Sequence, residues 1–332
     1  MAERGRAPYR VPAPAPRQRI RWPEAFGTRF LVFCDVEEEF DWSTPPNRAN
    51  RSTTAMAAFP SAHRTFAEHG IGLACMVDHP IALDPRAVES LRVALEDGRS
   101  SIGAQLHAWV TPPYAAPRRG DTYPGNLPRA EEAAKLDTLT AALSAAFGRA
   151  PRAYRAGRYG IGPATFELLA ARGYRVDSSI RSRYDYRADG GPDFTQVGPE
   201  AFHAGPILEL PLTSIFLGAA RRWGPALHPA LGAIPHARGV AARTGLLQRV
   251  ALTPEDMPVE AALEAVTVAV GEGQRLLSFS FHSPTLAPGC TPYVRDADDL
   301  ATFWHWWERI IAHLSRLGAT PATLDEVIAA AG

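Results

Sequence analysis

Cysteine is scarce in this chain and lysine almost absent. Three cysteines in 332 residues, Cys34, Cys75 and Cys290, make an odd set without a Cys-x-x-Cys pair. Neither a disulfide framework nor a thiolate zinc site is indicated, and a reducing, cytoplasmic compartment is expected. Lys135 is the one lysine, so nearly all positive charge is arginine, a bias that genome composition explains as readily as a need for bidentate anion contacts. Net charge is missing as well: 35 basic residues balance 35 acidic ones. No global field therefore draws the protein to nucleic acid or an anionic membrane, and basic residues are not interleaved with aromatics as on a nucleic-acid platform. No apolar run is long enough for a signal-peptide core or a membrane span. The glycine patterns of dinucleotide folds, P-loops and serine-hydrolase elbows are absent too, as is any repeat of fixed length.

What the chain has is alternation. Residues 1–25 are rich in proline and arginine and read as a flexible arm preceding a single domain over 26–332. Strand-like runs at 29–36, 71–77, 101–107 and 152–155 are interleaved with helical patterns at 61–69, 86–96, 129–146 and 163–172. Strands at 174–180, 207–213 and 275–281 follow, with helices at 259–270 and 297–317. This β-then-α rhythm predicts an α/β fold with a mostly parallel sheet of about seven strands, a number that suits a barrel. Residues 214–256 break the rhythm and read as an insertion bordering the pocket. The aromatic run near Trp307 falls at helical spacing with Phe303, Ile310, Ile311 and Leu314, so it is assigned to core packing.

Four of the strand-like runs stop at groups that a hydrolase uses. Parallel strands converge at their carboxyl ends, so residues far apart in sequence can share one pocket there. Asp35 and Glu37 end the first run; strand alternation turns both to one side, where one can bind a metal and the other act as base. A calcium loop is the competing reading, but its sixth position would be glycine and here is Phe40. His107 ends another run, beside Trp109, whose indole offers a flat wall for a sugar. Arg155 lies among glycines; it can orient Asp35, and Arg158 can hold an anionic substrate group. His282 precedes Ser283-Pro284 and has the ordinary pKa of a group able to protonate a leaving amine. Weaker candidates are Asp177 with Ser178, and Asp78 with His79, each closing a strand.

At CDVEEEFDW, IGAQLHAWVTPPY, YRAGRYG and FSFHSPTLAPGCTPYVR the sequence resembles the polysaccharide deacetylase family, carbohydrate esterase family 4, in its intracellular-type branch with an Asp-Val-Glu first motif. The resemblance spans residues 34–295 in the family's order. It implies a deformed parallel (β/α) barrel of about seven strands and metal-assisted removal of an acetyl group from an amino sugar or polysaccharide precursor. By position it makes Asp35 the base, Arg155 its orienting partner, His282 the acid, and Glu37 and His107 ligands of a divalent ion, zinc first, with cobalt and nickel as alternatives. The family's second motif carries two histidines four positions apart, and the second falls on Thr111, a poor ligand; His79 is the substitute candidate. Trp109, Arg158 and Asp177 are expected at the substrate. Two other readings remain: a metal-independent amidohydrolase of cyclic amides on the same fold, and a carbohydrate-binding protein without turnover.

Overall fold

The computed structural model describes residues 8–332. Eleven strands are present among them: β1 (Arg29–Val36), β2 (Leu73–Val77), β3 (Ser101–Leu106), β4 (Ala153–Ala156), β5 (Val176–Asp177), β6 (Phe202–Ala204), β7 (Ile207–Glu209), β8 (Ser214–Leu217), β9 (Gln248–Ala251), β10 (Leu276–His282) and β11 (Thr320–Pro321). The main sheet runs β10-β1-β2-β3-β4-β5-β7-β6, with β11 added beside β1; every pair along this path is parallel except β6 with β7. Seven consecutive parallel strands, β10 through β7, therefore curl into a deformed barrel left open between β7 and β10. Thr213 and Leu252 bridge that opening: Ser278 accepts from and donates to Thr213, and the Ser280 N–H donates to the Leu252 carbonyl.

Ten α-helices among the described residues connect or flank the strands: α1 (Phe59–Glu68), α2 (His79–Leu83), α3 (Pro85–Leu95), α4 (Arg129–Phe147), α5 (Thr165–Ala170), α6 (Gly224–Leu231), α7 (Ala237–Arg243), α8 (Val259–Gly271), α9 (Ala297–Arg316) and α10 (Leu324–Ala331). The alternation along β1 explains both layers of the core. Phe30, Val32, Cys34 and Val36 face outward into the large helix-covered cluster, which takes in Phe303, Trp307 and Ile310 of α9. Leu31 and Phe33 face inward with Met76, Ala153, Val176 and Leu208, and α10 closes the amino end of the strands with Leu324 and Val327. The barrel is thus filled by apolar side chains at one end, and polar ones succeed them along the same inward rows towards the carboxyl ends.

The segment expected as a free arm is a strap wherever it is described. Arg10 Nε pairs with Asp193 at 2.8 Å, the Val11 N–H donates to the Asp193 carbonyl, and the Ile20 N–H donates to the Ala201 carbonyl beside β6. Val11 is buried and Trp22 stacks on Phe26 at 4.3 Å. Proline content suggested a flexible arm, whereas extended backbone pairing with the outer rim and these few apolar anchors tie the segment down. Residues 1–7 lie outside the described residues. The irregular stretch 214–256 is the antiparallel pair β8–β9 with α6 and α7 between them. No described helix is long and apolar enough to cross a membrane.

Candidate active site

Strand register assembles the site. Asp35 on β1 is the cross-strand partner of His282 on β10, and Gln105 on β3 is the partner of Arg155 on β4. All four belong to inward rows, so they meet at the carboxyl mouth of the barrel. A cavity of about 520 Å³ opens there, lined by Asp35, Glu37, Gln105, His107, Arg158 and His282, with Trp42, Trp109 and several tyrosines as walls. Its size suits a small molecule or a sugar unit.

Asp35 lies between two cations. The Arg155 guanidinium donates to Asp35 Oδ1, and its other nitrogens donate to the Ser178 carbonyl (2.9 Å) and Ser178 Oγ (3.0 Å). Arg155 is fully buried and rests over the Phe33 ring at 4.6 Å. Asp35 Oδ2 faces His282 Nε2 at 3.7 Å. On its far side the His282 ring donates from Nδ1 to Glu255 Oε2 at 2.6 Å, while Glu255 Oε1 accepts from the His282 backbone N–H and the Thr285 hydroxyl. Burial pulls the His282 pKa down, but Glu255, then Glu37 and Asp35, outweigh it and lift the imidazole to about 10. The ring is therefore an imidazolium at neutral pH, held in one orientation, with Nε2–H directed at the cavity.

His107 forms a second charged group. Its Nδ1–H donates to Glu38 Oε2 at 2.7 Å, and Glu38 Oε1 accepts from Trp109 Nε1 at 2.6 Å. Asp78 sits behind them, accepting from the Glu38 N–H and, as the cap of α2, from the Ile81 N–H. Burial, then Glu38, push the Asp78 carboxyl well above its ordinary value. His107 Nε2 faces Glu37 Oε2 at 3.4 Å, and the Gln105 amide lies 3.0 Å from that oxygen and 3.1 Å from the ring nitrogen. Burial first, and Asp35 with it, raise Glu37 against the pull of the two histidines. Gly157 permits this crowding, since a Cβ there would stand 2.7 Å from the His107 ring.

These groups can hold a cation. Asp35, Glu37 and His282 bring ligand atoms within 4.8 Å of one another, as do Glu38, Asp78 and His107. Glu37 Oε1 and Gln105 Oε1 are both buried without a partner, which is the condition of an oxygen awaiting an ion. A carboxylate on the outer nitrogen of His107 is likewise the arrangement that orients and strengthens a ligating imidazole.

Three candidates lie elsewhere. Thr111 sits one turn past His107, its N–H bonded to the His107 carbonyl; it is fully buried, does not line the cavity, and its hydroxyl is unpartnered. Asp177 faces outward because Val176 before it faces in, and it meets Glu209, its partner on β7. Burial pushes both carboxyls up, Asp177 despite Ser179 and Arg155, and the pair lies outside the cavity. His79 is buried on α2 and is not a lining residue either. Sequence reasoning missed Glu38, which the same-side rule for 35 and 37 set aside, and Glu255, which lies in the irregular stretch and offered no signal.

The loop carrying His107 and Trp109 depends on the chain's one lysine. Lys135 of α4 is buried and donates to the carbonyls of Ala108 (2.9 Å), Thr111 (2.6 Å) and Pro113 (2.7 Å). Lys135→Met strands these acceptors and should cost about 1–3 kcal/mol of stability, read as a lower midpoint in urea titration with an unchanged slope.

No protein-family model matches the chain, and no curated protein matches it. Solved structures do. A protein from Mycobacterium smegmatis described as a polysaccharide deacetylase is 16% identical, covering 97% of this chain and 94% of that one with a TM-score of 0.56. A GH57 branching enzyme from Thermococcus kodakaraensis is 10% identical over 92% of this chain and 71% of that one, TM-score 0.52. A protein from Pseudomonas aeruginosa PAO1 described as a polysaccharide deacetylase is 16% identical over 92% and 91%, TM-score 0.49. The chain shares the deformed barrel of the first two; at these identities the likeness is one of fold, and the residues of the cavity must carry the chemistry.

Proposed function

We propose that the protein belongs to the polysaccharide deacetylase family, carbohydrate esterase family 4, in the branch with an Asp-Val-Glu first motif. Its reaction is hydrolysis of an acetyl group from an amino sugar or polysaccharide precursor, at an amide and, by the same chemistry, an ester. One observation carries this reading: Asp35 is held by Arg155 on one side and opposed on the other by an imidazolium, His282, fixed by Glu255. That is a base and an acid facing each other across the carboxyl mouth of a barrel, the arrangement acyl transfer to water needs.

Glu37 and His107 would hold a divalent ion, zinc before cobalt or nickel, and the buried, unpartnered Gln105 Oε1 beside them is a further oxygen ligand. When bound, the ion supplies Lewis-acid polarisation of the acetyl carbonyl and a more acidic water. Asp35 takes the proton of the attacking water through Oδ2, the oxygen that Arg155 leaves open. Arg155 keeps that carboxylate correctly turned. His282 Nε2 gives its proton to the departing sugar nitrogen, and Glu255 steadies the ring as its charge changes. Trp42 and Trp109 offer flat apolar walls to the sugar. The cytoplasm is the proposed compartment, in keeping with three free thiols.

The metal-independent reading keeps one observation in its favour: a protonated His107 between Glu37 and Glu38 offsets one of the two negative charges without an ion. Chelation separates the two. Acetate release from acetylated chitooligosaccharides should stop on treatment with a chelator and return with zinc, cobalt or nickel, and activity indifferent to the chelator would end the metal assignment. Glu38→Gln, which weakens the carboxylate behind His107, should lower zinc affinity by about 10–100-fold in calorimetric titration.

A further inference from the structure

Two arginines in the cavity have no anion to hold. Arg158 and Arg181 both line it, and among the described residues no carboxylate oxygen lies within 4.0 Å of either guanidinium. Some half-exposed arginines of this protein do take carboxylate partners, as Arg129 does with Glu167 and Arg152 with Asp325. An unpaired charge costs more in a recess than at the surface, so the two cavity arginines are unpaired where pairing matters most.

Their surroundings hold them in place without neutralising them. Arg158 lies over the Tyr123 ring at 4.2 Å and donates from Nη1 to Thr122 Oγ1 at 2.7 Å. It and Tyr159 take left-handed backbone conformations in succession, with φ of 55° and 60°. Such a conformation is strained in a residue other than glycine and is kept only where the surrounding structure enforces it. Arg181 packs over Tyr184 at 4.1 Å and within 5.8 Å of the Tyr159 ring. Stacking covers the faces of both guanidiniums and leaves edge N–H groups to the cavity. The acidic groups in the neighbourhood, Asp189 on the exposed rim and Asp256 beyond Arg181, stand outside ion-pair distance.

We infer that the substrate is an acidic sugar: an acetylated glycosyl unit bearing a carboxylate or a phosphate ester, bound by Arg158 and Arg181 while its acetyl group lies between Asp35 and His282. The placement of the acetyl group rests on the deacetylase reading; the acid preference does not. A guanidinium edge matches carboxylate and phosphate oxygens equally, so the two sources of the anion are separated by experiment.

Calorimetric titration of the full-length protein at low salt with N-acetylglucosamine, N-acetylmuramic acid and N-acetylglucosamine 6-phosphate makes the test. At least one of the acids should bind about tenfold or more tightly than the neutral sugar, and whichever does names the anion. That preference should shrink as salt is raised. It should fall by about tenfold in Arg158→Gln and in Arg181→Gln, and part of it should survive in Arg181→Lys, which keeps the charge without the fork. Circular dichroism confirms that each variant is folded. Equal binding of acidic and neutral sugars by the wild type, or no binding of any of the three, overturns the inference, as does a proportionate loss of all ligands in the arginine variants. Acetate release is followed in parallel. Acid-selective binding without acetate sinks the deacetylase reading alone, and acetate released equally well from neutral and acidic sugars sinks this one alone.

Discussion

Asp35→Asn should lower kcat for acetate release by about 10²–10⁴-fold while sugar binding survives. The amide keeps the size of the carboxylate but cannot accept the water's proton. The change has a structural consequence as well. Arg155 is fully buried, and Asp35 is its only carboxylate partner within ion-pair distance among the described residues. Neutralising one member of a buried pair leaves the other uncompensated, at about 3–5 kcal/mol, so the variant should also melt earlier. Arg155→Met removes the cation that orients Asp35 and leaves Asp35 to face His282 alone; it should lose activity, read as a lower kcat for acetate release. Retention of near wild-type kcat in Asp35→Asn would remove the base from the scheme.

His282→Ala should cost a similar factor, about 10²–10⁴-fold, and the loss should be smallest for substrates whose leaving group needs no proton, such as an aryl acetate. The more telling variant is Glu255→Gln. With Glu255 in place the imidazolium persists to about pH 10, so the alkaline limb of kcat/KM is expected near that value. Removing the charge of a carboxylate 2.6 Å from Nδ1 should bring this limb down by about 1–3 pH units. Stability follows the same linkage. The folded protein binds the His282 proton more tightly than the unfolded chain, whose imidazole titrates near the ordinary value of 6.5. The stabilisation is therefore complete below that value and is lost as pH rises through about 10; in Glu255→Gln the loss should begin at lower pH. An alkaline limb that does not move in Glu255→Gln would take His282 out of the acid role.

The long elements were legible because pattern alone determines them. The strand over 29–36 and the helices near 129–146, 259–270 and 297–317 fall within a residue or so of β1, α4, α8 and α9, where many residues repeat one period. The runs at 174–180 and 207–213 shrink to β5 and β7, of two and three residues, because a strand ends where its neighbour stops pairing, and no local signal marks that. The same short ladder accounts for Asp177. A side chain's face depends on strand phase, and Val176 facing in sends Asp177 out. Thr111 follows from a motif spacing that the backbone keeps, a turn from His107 to residue 111, while the side chain at its end is buried away from the cavity. Glu255 was beyond reach: it becomes a partner of His282 only because the β8–β9 excursion bridges the open seam of the barrel and returns beside β10. The strap over 10–20 was hidden by composition, since a few anchors such as Val11 and Arg10 outweigh the many prolines around them.

The central claim is that the strand ends bearing Asp35, Glu37, His107, Arg155 and His282 form one hydrolytic centre for acetyl groups. Product analysis in ¹⁸O-labelled water tests it most directly, with an acetylated oligosaccharide as substrate and mass spectrometry of all products. The account predicts acetate carrying one solvent oxygen, one new free amine per acetate and an oligosaccharide of unchanged length. A shortened or extended sugar chain with every acetyl group retained, as a glycosidase or glucan transferase would leave it, would contradict the account.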